Sequence, residues 1–143
     1  MVKVVETPVG YATAALVFIF GGLVRADQGL SVAEIEKIEI LVYKLQNGLP
    51  GNYSLFAKGL HAVHKDPDYS SWEPRQFADQ GLQYMDRFVS SGEATTEHIE
   101  TIQEAMELIM EVGNITEGEE IYMAYLRSEF KSRYIDTNLL QQS

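Results

Sequence analysis

The sequence predicts an all-α fold, a single compact bundle of about six helices, and three observations predict it. Apolar residues recur three and four positions apart through almost the whole chain, and no stretch alternates apolar with polar residues as a half-buried strand would. Clusters of Gly, Pro and Ser interrupt this periodicity at helix-length intervals, most clearly at Asn47 to Gly51 and Ser90 to Gly92. With 143 residues, 45% of them hydrophobic, one domain over 1–143 can bury a core without disulfides, and the chain has no cysteine.

The first helix is expected over about Ala12 to Ala26. Thr7 to Val24 holds no charged residue, so this helix is apolar all round and belongs at the centre of the bundle. The same run approaches the length of a membrane span, and Val24-Arg25-Ala26 faintly resembles a signal cleavage site. Lys3 is balanced by Glu6, which removes the basic start of a signal peptide, while Thr13, Gly21 and Gly22 dilute the apolarity. The expectation is a buried helix without stable membrane insertion, in a cytoplasmic protein.

A second helix is expected over about Val32 to Gln46, with Ile35, Ile38, Val42 and Leu45 on one face. The third covers about Tyr53 to His64 with Phe56, Leu60 and Val63 inward, and a polar turn follows from Lys65 to Ser71. The fourth runs from about Glu73 to Val89, where Pro74 suits a first turn because its missing N–H has no partner to lose there. The fifth spans about Thr96 to Val112 on Ile99, Ile102, Met106 and Ile109, and the sixth about Glu117 to Tyr134 on Tyr122, Tyr125, Leu126 and Phe130. Such short connections make a bundle.

Charge narrows the function. Eleven basic against 21 acidic residues give a formal charge of −10, which argues against nucleic acid and anionic membrane as partners and favours cations or basic protein surfaces. The acidity is local. Nine glutamates and no Lys or Arg lie between Arg87 and Arg127, leaving twelve acidic and eleven basic residues elsewhere. Six of the nine, Glu93, Glu97, Glu100, Glu104, Glu107 and Glu111, follow steps of four, three, four, three and four, one helix face opposite the apolar one. A solvated face usually mixes signs, and like charges at this spacing cost a few tenths of a kcal/mol per pair. The face is read either as plain solubility or as a surface that gathers cations or docks a basic partner.

Two helix-to-helix corners read alike. Leu30-Ser31-Val32-Ala33-Glu34 and Ile115-Thr116-Glu117-Gly118-Glu119 both have the pattern of a capping box behind a hydrophobic staple. The first and last helix pairs therefore form a pseudo-symmetric set. Capping accounts for Ser31, Thr116, Glu34 and Glu119 without any further role. It does not account for Asp27, whose charge sits at a helix C-terminus that disfavours it. A cation there would relieve it, with Glu34 seven residues on as a second oxygen donor of the kind hard divalent ions take.

At this point the chain resembles the TerB-like family, named for tellurite-resistance proteins. The likeness lies in Arg25-Ala26-Asp27-Gln28-Gly29-Leu30-Ser31-Val32-Ala33-Glu34 and, more loosely, in Glu111 to Glu119, where the Asp is missing and only Glu111 stands near enough to replace it. The resemblance implies an all-helical, non-enzymatic protein of a stress response that chelates a divalent cation, calcium or magnesium in class, through Asp27, Glu34, Glu111 and Glu119. It implies no organic cofactor. Tellurite itself is an oxyanion that a −10 protein repels, and without cysteine there is no thiol to reduce or ligate it.

Other constellations carry less. His61 and His64 with Asp66 and Asp68 have spacing for a transition metal, yet two histidines three apart at a helix end are common by chance. Asp66 to Ser70 starts like a calcium loop and lacks its glycine and its closing Glu. No nucleophile order or phosphate loop is present. Two functions from different classes follow: a divalent-cation binder at the corners, or an interaction scaffold that docks a basic partner on Glu93, Glu97, Glu100, Glu104 and Glu107 without metal.

Overall fold

A computed structural model describes residues 3–27, 32–111, 115–137 and 140, with Asp27 and residues 32–34 described by their backbone alone. Among the described residues there are six α-helices and no strand: α1 (Pro8–Asp27), α2 (Val32–Leu45), α3 (Tyr53–Lys65), α4 (Pro74–Ser90), α5 (Thr96–Glu111) and α6 (Glu117–Phe130). A turn of 3-10 helix, Pro67–Tyr69, precedes α4, and a π-helical turn, Lys131–Ile135, ends α6.

The first helix is longer than its apolar run. It starts at Pro8 because Thr7 Oγ1 accepts the Gly10 N–H at 3.0 Å, a cap immediately before a proline whose missing donor costs nothing in a first turn. From there it runs through the middle of the bundle: Ala12, Ala15, Ile19, Phe20 and Leu23 have no exposed surface. It has the length and apolarity of a membrane span, and 83% of that window is buried inside the bundle.

Helix α1 packs most extensively on α4, then on α3 and α6. Glycine makes the closest crossings possible. A Cβ on Gly81 of α4 would stand 2.8 Å from Ile19 Cγ1 and 3.2 Å from the Ala15 carbonyl oxygen, so the two backbones meet where a side chain has no room. At Gly22 the missing Cβ makes space for Tyr122 of α6, whose hydroxyl donates to the Ile19 carbonyl. Burial holds that hydroxyl protonated well above the ordinary tyrosine range.

The aromatic residues gather on the α4 side of α1. Phe18 meets Tyr69, Trp72, Phe77 and Tyr84 with ring centroids 5.7, 6.1, 6.3 and 5.8 Å away. On the α3 side the chain is pinned by a polar contact. Gly51, at φ 94°, turns the chain so that the Asn52 N–H reaches Thr13 Oγ1 at 2.9 Å, while the Thr13 hydroxyl donates to the Val9 carbonyl at 2.7 Å. The buried threonine is thus fully used.

The expected continuation of the last helix to Tyr134 changes character at Lys131. Tyr134 is 2% exposed and its hydroxyl donates to Asp86 Oδ1 of α4 at 2.7 Å, with Arg133 on the other oxygen of the same carboxylate at 2.7 Å. The wider π turn is what brings two consecutive side chains to one acceptor.

At the two ends of the chain α1 packs on α6 and α2 on α5. Gly118 in the first turn of α6 abuts the end of α1, where its Cβ would fall 2.7 Å from the Ala26 carbonyl oxygen. Helices α2 and α6 share no extensive contact among the described residues.

Candidate acidic face and corner

Helix α5 turns Ile99, Ile102, Ala105, Met106, Ile109 and Met110 into the core, against α2, α6 and α1. That choice decides its other side. Glu97, Glu100, Glu104, Glu107 and Glu111 are all exposed, and Glu93, also exposed, stands before the helix begins. Four like-charge neighbours therefore remain within the helix, a burden of about 0.8–2 kcal/mol on an isolated helix. Glu97 in the first turn agrees with the helix dipole, whereas Glu111 in the last turn opposes it.

Among the described residues, one ion pair reaches this face. Arg127 of α6 places Nη2 2.6 Å from Glu107 Oε1, with both side chains about half exposed (52% and 50%). A pair that exposed is worth at most about 1 kcal/mol and leaves Glu97, Glu100 and Glu104 unanswered.

The helix starts on an unusual cap that sequence reading missed. Thr95 Oγ1 accepts the His98 N–H at 3.1 Å, and His98 Nδ1 accepts the Thr95 N–H at 3.1 Å. This is capping-box geometry with imidazole in place of Glu or Gln. The ring lies 5.6 Å from that of Phe88, and burial lowers the imidazole below its ordinary value against a weaker opposite pull from Glu97. The signal was present as Thr-x-x-His.

The capping box before α6 forms as its spacing predicts, but the expected hydrophobic staple does not, because Ile115 is 48% exposed and the position it would pack on is Glu120. Thr116 Oγ1 accepts the Glu119 N–H at 3.1 Å, and Glu119 Oε1 takes the Thr116 N–H at 3.0 Å and the Thr116 hydroxyl at 3.2 Å. Glu119 is 5% exposed. Glu111, at the end of α5, points to solvent. The side chains of Asp27 and Glu34, and the Leu30 to Ser31 cap, lie outside the described residues, and among those described no three His, Asp or Glu side chains gather as a metal centre.

The histidine pair is divided. His61 Nε2 meets Glu39 of α2, whose carboxylate is 18% exposed, while His64 is exposed and Asp66 accepts the Asp68 N–H at 2.9 Å to cap the 3-10 turn. A second feature escaped the sequence altogether. Arg25, read only as part of the corner motif, donates to the Tyr69 and Ser70 carbonyls at 3.1 Å each, and its guanidinium lies 5.7 Å from the Phe77 ring centre. Those carbonyls are 44 and 45 residues away, and carbonyls leave no mark in a sequence.

Compared with protein-family models, curated proteins and solved structures, the chain matches none, so its likeness to the TerB-like pattern rests on the corner residues themselves.

Proposed function

We propose that the chain is a non-enzymatic interaction module that docks a basic protein segment on the outer face of α5. The observation that carries this is the single sign of an exposed face: five helical glutamates, one of them paired, kept at a cost in helix stability. The fold asks only that this face be polar. From Glu97 to Glu111 the stripe runs fourteen residues, about 21 Å at the helical rise, enough for a basic helix or extended segment of similar length. Complementary charge of this kind speeds encounter and weakens with salt. Binding of a Lys-rich helical peptide, followed by fluorescence anisotropy, tests it. Replacing Glu100 and Glu104 with Gln should weaken binding at least tenfold at low salt, and co-purifying proteins should be lost with it. Equal binding by parent and variant leaves the face as a solvated one.

A second reading has its own observation. Gly118 against the Ala26 carbonyl sets the end of α1 beside the Thr116 to Glu119 corner, so Asp27 and Glu119 belong to neighbouring chain ends. The TerB-like resemblance implies a divalent cation of the calcium or magnesium class at these corners, held by Asp27 with Glu34 after α1 and by Glu119 with Glu111 before α6. With so few charged ligands its dissociation constant would be about 10⁻⁴ M or weaker. Thermal melts with calcium, magnesium or chelator should show a metal-dependent rise in the parent that Asp27→Asn abolishes; equal rises in both count against this site.

A further inference from the structure

Between the end of α1, the outer end of α3 and the start of α4 lies a cleft of about 730 Å³. That volume falls within the range of small-ligand sites. Its floor is apolar, built from Val24, Leu60, Val63 and Phe77, all buried, and Trp72 forms a half-buried wall.

Its rim is polar, with Arg25, His64, Ser70, Ser71 and Glu73 around that floor, and Arg25 is held in place among them. Arg25 spends two of a guanidinium's five N–H donors on the Tyr69 and Ser70 carbonyls, which fix the plane of the group at the edge of the cleft. Arg75, Arg127 and Arg133 are each answered by a carboxylate, at 3.3, 2.6 and 2.7 Å. Arg25 and Arg87 both lie against ring faces with no carboxylate among the described residues, and of the two Arg25 is the one fixed by backbone carbonyls. A fixed guanidinium over an apolar floor is the arrangement that receives a carboxylate attached to a hydrophobic body. His64 stands on the same rim as a further imidazole donor.

We propose that this cleft binds a small amphipathic monoanion, an aromatic or short aliphatic carboxylate, with its charge on Arg25 and its body on Leu60, Val63 and Phe77. Glu73 on the rim sets the charge limit, because a polyanion would meet that carboxylate while a single negative charge need not. The protein's overall acidity does not oppose this. No residue of α5 lines the cleft, and at physiological salt charges are screened beyond about 8 Å.

The chain's one tryptophan, Trp72, lines the cleft and reports on it directly. Octanoate titrated into the full chain should shift Trp72 emission saturably, and octanol, of the same length without the charge, should bind at least tenfold more weakly. Arg25→Gln should weaken octanoate at least tenfold and leave octanol unchanged. Because Arg25 also braces the turn before α4, Ser71→Phe at the exposed mouth is the second variant: it should block octanoate and melt like the parent. No saturable shift in the parent, octanol equal to octanoate, or octanoate binding undiminished in both variants would each overturn the proposal.

Discussion

Helices α1 and α5 are nearly neighbours in length, 20 and 16 residues, and opposite in design. Every side of α1 except its ends is covered, so its residues answer to packing alone. Helix α5 gives one face to the core and the other to water, and the water face is free to carry any polar mixture. Constraint and freedom therefore mean different things in the two helices. The glycines and alanines of α1 are explained once its neighbours are known, whereas the uniform charge of α5 is explained by nothing in the fold. That is why the functional reading falls on the helix of the two that the architecture constrains less.

The largest effect that sharpens this contrast belongs to α1. Phe18→Ala removes a ring that is 2% exposed and touches four other aromatic residues, and should cost about 3–5 kcal/mol in urea unfolding. A loss under about 1 kcal/mol would mean that α1 is not the organising helix. On α5 the sign reverses. Changing Glu100 and Glu104 to Gln removes three like-charge neighbours and should stabilise the chain by about 0.6–1.5 kcal/mol at low salt, a gain that shrinks as salt is added. Destabilisation on the same change would show that the face is answered by charges it needs.

The smallest effect lies at the cap of α5, within the roughly 1 kcal/mol that a helix cap contributes. Burial lowers His98, so below about pH 6.5, the ordinary imidazole value, the unfolded chain binds a proton that the folded chain resists. Its contribution is complete above that pH and is lost as the pH falls toward the lowered value. Gln keeps the acceptor and cannot titrate. The stability difference between parent and His98→Gln should therefore move against the parent on acidification from pH 7 to 5; a difference that stays level would mean the imidazole does not hold the cap.

Legibility follows the same division. Helices α2 to α6 were readable because each carries its inward residues at a period of 3.6, α1 because its run is uncharged and apolar all round, and the acidic stripe because it lies on one of them. What escaped reading depends on residues far apart in sequence. Thr7-Pro8 starts α1 before any apolar signal begins, and the turn at Lys131 changes form because Asp86, 47 and 48 residues before Arg133 and Tyr134, accepts from both. The cleft beside Arg25 draws on four helices and two backbone carbonyls. The Asp27 and Glu34 ligands proposed from the corner motif stay with that motif, their side chains being outside the described residues.

The hydroxyl of Tyr122 on the Ile19 carbonyl also sets an order of events during synthesis. Helix α1 leaves the ribosome before α6, and the α6 residue that closes over Gly22 lies 103 positions after Ile19. At about 5–20 residues per second, that gap leaves a long apolar helix waiting about 5–20 s for its last wall. Through that interval the nascent chain presents the surface of a membrane segment without its covering, and chaperones or targeting factors that recognise apolar helices have time to engage it.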